Sequence, residues 1–240
     1  MKTERPRCSA GEWSSRESAP ERKQCGPPGL TILKMLRYWL DRLEDPFEMF
    51  PMQSVARSLA ESAKGAEERR FGRTDWYGVS PKYYTVEDEH DIEVVELLIG
   101  SVFVLGQAAI AQAVSLVKRI HEVAGEPAWI PGDKEDIMAL ASPVHAGTGL
   151  KKIVIINAVA NYFKHRHEWW DDWTGPKHSL RTIGVAAKLG LEPKGYHNLE
   201  HALRELEVYL PGMAPLAQLV VTWREQLGAH LRNELDTRGL

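Results

Sequence analysis

The sequence predicts an all-α protein, a helical bundle with additional short packing helices. In most long segments apolar residues recur at three- and four-residue steps, as in Ile32, Leu33, Leu36, Leu40 and Leu43, the period of a helix with one buried face. No segment sustains the period-two alternation between turn residues that hairpins require. The run from Leu97 to Val117, LLIGSVFVLGQAAIAQAVSLV, carries no charge and offers the other amphipathic helices a central partner.

Residues 1–29, rich in Ser, Glu, Arg and Pro and without an apolar h-region, predict a disordered polar tail rather than a targeting signal. Residues 30–240 predict a single all-α domain. Its first helix runs from Leu30 until Asp45 and Pro46 stop it, and a second covers Gln53 to Arg70 with Val55, Leu59 and Ala63 on its apolar face. The stretch TDWYGVSPKYYT reads as a loop whose Trp76, Tyr77, Tyr83 and Tyr84 pack over a core edge, because Gly78 and Pro81 break any periodicity. The long helix begins among the carboxylates of Glu87 to Asp91 and ends near Gly125, after Lys118 and Arg119, as the helix dipole favours. A short helix around Lys134 to Leu140 follows, then the loop SPVHAGTG, then a helix from near Leu150 closed by Trp173, Gly175 and Pro176. Helices over His178 to Leu189, Asn198 to Tyr209 and Pro215 to Asn233 complete the chain.

A net charge of -3 and a pI near 6.3 argue against a general nucleic-acid coat protein, which needs a basic excess, and leave room for a local basic site. Only Cys8 and Cys25 are present, so neither a disulfide framework nor a thiolate metal site is expected, and a reduced, cytoplasmic location is the natural reading. The charge-free run is long enough to span a bilayer, but Gln107, Gln112, Ser101 and Ser115 dilute it, so it reads as a buried core helix and no membrane partner is expected. There is no phosphate-binding glycine loop, nucleophile elbow or kinase signature.

The densest chemistry lies in NAVANYFKHRHEWWDDW, residues 157–173. Asn161, His165, Glu168 and Asp172 fall at i, i+4, i+7 and i+11 and share a face if the helix continues, opposite Ile156, Val159, Phe163 and Trp170. His165 can move a proton at a ribose hydroxyl, and Lys164 and Arg166 beside it can bind phosphate and stabilise anionic charge. Two such helices in a dimer would build a symmetric polar cleft, so a homo-oligomer is expected. The bland alternative has Asn161 and His165 hydrogen-bonded to neighbouring helices or to Glu168 and Asp172, with Trp169, Trp170 and Trp173 capping the bundle.

The residues IINAVANYFKHRHEW resemble the motif helix of the HEPN superfamily, helical bundles found in prokaryotic toxins and defence ribonucleases. Asn161 to His165 matches the family's polar residue, three-residue spacer and histidine, while the position the family gives to arginine is Ala160. The resemblance implies a metal-independent endoribonuclease without cofactor, with His165 as general acid or base, Asn161 orienting it or binding substrate, and Lys164 or Arg166 stabilising charge. The partners it implies are RNA and a cognate antitoxin or neighbouring protein. Ala160 favours the alternative of a noncatalytic protein- or nucleic-acid-interaction module on the same helix.

His197 to His201 reads H-N-L-E-H, the H-x-x-E-H form of inverted zinc peptidases, and makes a zinc hydrolase at His197, Glu200 and His201 a further alternative. Its third ligand would come from Glu205, Glu207, Glu225 or Glu234, and chance occurrence on an exposed amphipathic helix is the competing reading. Arg224 and His230 also have a spacing the HEPN family tolerates, but with Gly228 interrupting the helix they read as an ordinary charged face. His178 joins His165 and His167 only if the Gly175 and Pro176 turn folds back.

Overall fold

The charge-free run forms the middle of a long helix, α3 (Val86–Val123), and the chain folds around it as an all-α bundle. A computed structural model describes residues 31–45, 48–77, 86–169, 173, 179–193, 195, 197–208 and 213–239, without the side chains of 50, 70–77, 86, 88 and 169. The expected N-terminal tail, Tyr83, Tyr84, Trp170, Asp172 and His178 lie outside these residues. The other helices are α1 (Ile32–Glu44), α2 (Phe50–Tyr77), α4 (Lys134–Ala139), α5 (Lys152–His165), α6 (Leu180–Lys188), α7 (Asn198–Glu205) and α8 (Ala214–Thr237). Among the described residues there is no strand, and the single bridge pairs Val144 with Lys151 across the loop before α5.

Helix α3 packs against α1, α2, α4, α5, α7 and α8, burying Ile99, Val102, Phe103, Ile110, Ala113, Val117 and Ile120. Each of the larger of these side chains contributes about 1.5–3 kcal/mol by leaving water. By length and composition α3 could cross a membrane, yet 44% of its most apolar window is already buried against these helices. Helix α5 comes close because α3 has no side chain at two points. A Cβ on Gly100 would stand 2.3 Å from the Phe163 ring, and one on Gly106 would stand 3.2 Å from Ile156.

Several helix ends are satisfied by residues distant in sequence. The last carbonyls of α1 accept from Arg224 of α8, Nε to Leu43 O and Nη2 to Arg42 O, both at 2.7 Å. Arg224 is 2% exposed, so it does not form the charged face expected of it, and His230 alone points to solvent. Gly228 does not interrupt α8 either; it is buried where α8 meets α1, and a Cβ there would meet Glu44 at 2.5 Å. At the start of α7, His197 is left-handed at φ 68° and makes no side-chain cap. Buried Glu96 of α3 takes its place, accepting from Leu199 N at 3.2 Å and Glu200 N at 3.4 Å.

Two boundaries differ from expectation, and the second bears on the site. Helix α2 runs on through Tyr77, taking in Trp76 and the start of the expected aromatic loop. Helix α5 ends at His165 rather than near Trp173, and a 3-10 turn, Arg166–Trp169, continues the chain. A 3-10 turn eclipses residues three apart, which suits the contact of His165 Nδ1 with Glu168 Oε1 at 3.0 Å. The polar stripe is therefore not carried on one regular helix.

Candidate functional site

Helix α5 is apolar on the side that meets the core, where Ile153, Ile156, Val159 and Ala160 are buried. Ala160 is fully buried and faces the core. Asn157, Asn161 and Lys164 are spaced i, i+4 and i+7 and form one polar face against α3. Gln107 of α3 meets them.

The chemistry of lysine fixes how these amides point. An ammonium only donates, so the 2.6 Å contact from Lys164 Nζ turns the Gln107 oxygen toward Lys164. The Gln107 Nε2 group then faces the asparagines and donates to Asn161 Oδ1 at 2.9 Å and to Asn157 Oδ1 at 3.1 Å. Lys134 of α4 donates to the same Asn157 oxygen at 3.1 Å. With both asparagine oxygens accepting from Gln107, each Nδ2 group is left to donate, and neither Nδ2 has a partner among the described residues.

Asn157 and Asn161 line a cleft of about 160 Å³ between α4, α5 and α6, together with Lys134, Arg181 and Thr182. The cleft is cationic. Burial lowers the pKa of Lys134, and the charges of Lys164, Arg181 and Lys118 lower it further. Among the described lining residues the carboxylate is Glu135, which pairs with Arg181. A concave surface rich in ammonium, guanidinium and amide N–H groups can hold an anion.

The residues expected to act together thus divide among different networks. Asn161 and Lys164 converge through Gln107, whereas His165 lies at the exposed end of α5 with Glu168. Arg166 turns away to lie 3.7 Å from Glu96 and 5.2 Å from the Phe163 ring centroid. Burial pushes the Glu96 carboxyl up to about 7 against the opposing pull of the α7 amides and Arg166. Trp173 packs against the core and Tyr162, their ring centroids 6.0 Å apart.

Sequence reasoning did not single out Gln107, Lys134, Asn157 or Arg181 for function. One signal was present: Gln107 is a polar break in a charge-free run, and an amide there needs a partner once buried. Lys134 and Arg181 reach the cleft only through tertiary packing.

The H-x-x-E-H sequence, a zinc centre only in the further alternative, does not bring its histidines together on one helix. His197 lies before α7 in a left-handed turn, with Nδ1 3.3 Å from Glu200, and His201 Nε2 lies 2.8 Å from the Leu189 carbonyl. The two rings do not share a helical face, and among the described residues no group of three metal-ligating side chains could hold an ion. Compared with protein-family models, curated proteins and solved structures, the chain matches none.

Proposed function

We propose that the protein is a nucleic-acid-interaction module that holds RNA by its phosphates in the cleft between α4, α5 and α6. The observation that carries this reading is the convergence in one cleft of Lys134 and Arg181 with the amides of Asn157 and Asn161, which Lys164 orients through Gln107. An overall charge of -3 does not oppose it, because phosphate contacts depend on local charge. The resemblance of α5 to the HEPN motif helix supports RNA as the polyanion. Buried Ala160 and the engagement of Arg166 with Glu96 favour binding over catalysis.

Fluorescence anisotropy with a labelled single-stranded RNA, from 50 to 300 mM salt, tests the reading. Lys134→Ala and Arg181→Ala should each weaken binding about five- to tenfold and reduce the slope of log K against log salt by about 0.7. Absence of RNA binding by folded protein at low salt overturns it. A second reading, histidine-dependent cleavage as in a metal-independent ribonuclease, is favoured by the His165–Glu168 contact, since a carboxylate at Nδ1 orients an imidazole for proton transfer. Cleavage in EDTA that is lost in His165→Ala would select it.

A further inference from the structure

We propose that the cleft is built for the doubly charged phosphate of a phosphomonoester, the terminal phosphate of its ligand, rather than for the internal phosphodiesters of a strand. This rests on the reading of the cleft as a phosphate site and adds which kind of phosphate it takes.

The groups converging there are mainly donors. Lys134 and Arg181 donate by nature, and the relay from Lys164 through Gln107 leaves Asn157 and Asn161 with N–H groups to offer. A phosphomonoester presents three acceptor oxygens and about -1.5 to -2 charge at pH 7. An internal diester presents fewer terminal oxygens and a single charge. The mutual repulsion of Lys134, Lys164, Arg181 and Lys118 is relieved more by the dianion, while Glu135 offsets only part of the positive charge.

Size and lining agree. The cleft, at about 160 Å³, is smaller than the roughly 300–1,000 Å³ of pockets that enclose whole small molecules, so it admits a head group. None of its described lining residues is aromatic, so a base entering it would find no stacking platform among them. What carries the phosphate therefore lies outside the cleft, either as the end of a nucleic-acid strand or as a small phosphorylated metabolite.

The test measures binding of one twelve-nucleotide single-stranded RNA in three forms, with 5′-phosphate, with 3′-phosphate and with hydroxyl ends, and competes each with ribose 5-phosphate. At least one phosphorylated form should bind tenfold or more tightly than the hydroxyl form. The difference should disappear in Lys134→Ala and in Asn157→Asp, a near-isosteric change that replaces a donor by an acceptor. The advantage should also shrink as pH falls through about 6, where the phosphomonoester takes up its second proton. Equal, salt-dependent binding of all three RNAs overturns the inference and leaves the RNA reading in place. Binding of ribose 5-phosphate with no binding of any RNA overturns the RNA reading and supports the phosphomonoester site with a small-molecule source. If neither RNA nor ribose 5-phosphate binds to folded protein, both fall.

Discussion

Arg224 is the residue whose environment departs most from what its type suggests. A buried guanidinium is costly unless its hydrogens are used, and here Nε and Nη2 reach Leu43 O, Arg42 O and Glu48 Oε2, each at 2.7 Å, while buried Nη1 has no partner among the described residues. Burial works to raise the pKa of Glu48, but the bonds from Arg224 and Arg42 outweigh it and hold the carboxyl below its usual value. Replacing Arg224 by Met fills a similar volume but leaves the α1 carbonyls and part of the Glu48 charge without their partner. Arg224→Met should therefore cost about 2–4 kcal/mol in urea denaturation, and adding Glu48→Gln should recover part of that loss. A cost below about 0.5 kcal/mol would mean that the α1 end is satisfied without this bond.

At the scale of elements, the contact of α3 with α5 sets the cleft, because it brings Gln107 to Asn157 and Asn161. Gly100 permits that approach, and Gly100→Ala should destabilise the fold by about 1–3 kcal/mol as Phe163 is displaced. Gly184 on α6 has nothing near its absent Cβ, so Gly184→Ala should instead stabilise by about 0.5–1 kcal/mol through helix propensity alone. Chemical denaturation of the two variants checks the contrast, and a shift of the same sign in both would refute the packing account. The pair also marks how much a sequence can disclose. Helix positions were legible because the apolar period is local, and α3 stood out as a charge-free run. The end of α5 was not, since the run Lys164 to Glu168 keeps helical residue types while the chain tightens into a 3-10 turn. The caps from Glu96 and Arg224 were illegible because each partner lies about a hundred residues or more away. Of the cleft and the relay behind it, Asn161 and Lys164 could be read from α5, whereas Lys134 and Arg181 arrive on helices whose docking the sequence pattern does not specify.

The stability of the whole molecule should record the burial of Glu96 as a pH dependence. Its carboxyl, close to Arg166, Glu200 and Tyr162, is pushed up to about 7 in the folded chain from an ordinary value of about 4.5. The folded state then binds the proton more tightly than the unfolded state, so the contribution is full below about 4.5 and is lost as pH rises through 7. The span corresponds to at most about 3 kcal/mol. Glu48 and Glu207 act in the opposite sense, because their lowered pKa values give stability that is lost as pH falls below about 4.5. The two effects occupy different windows, leaving the range from about 5 to 8 dominated by Glu96 among the shifted carboxylates. Urea denaturation at half-unit steps across that range should show stability declining toward alkaline pH in the wild type. Glu96→Gln keeps an acceptor oxygen for Leu199 N and Glu200 N but has no proton to lose, so its profile should be flatter and should cross the wild-type curve between pH 5 and 8. An unchanged slope in Glu96→Gln would show that the carboxylate stays ionised at the head of α7, held there by the helix amides and Arg166 more strongly than burial disfavours it.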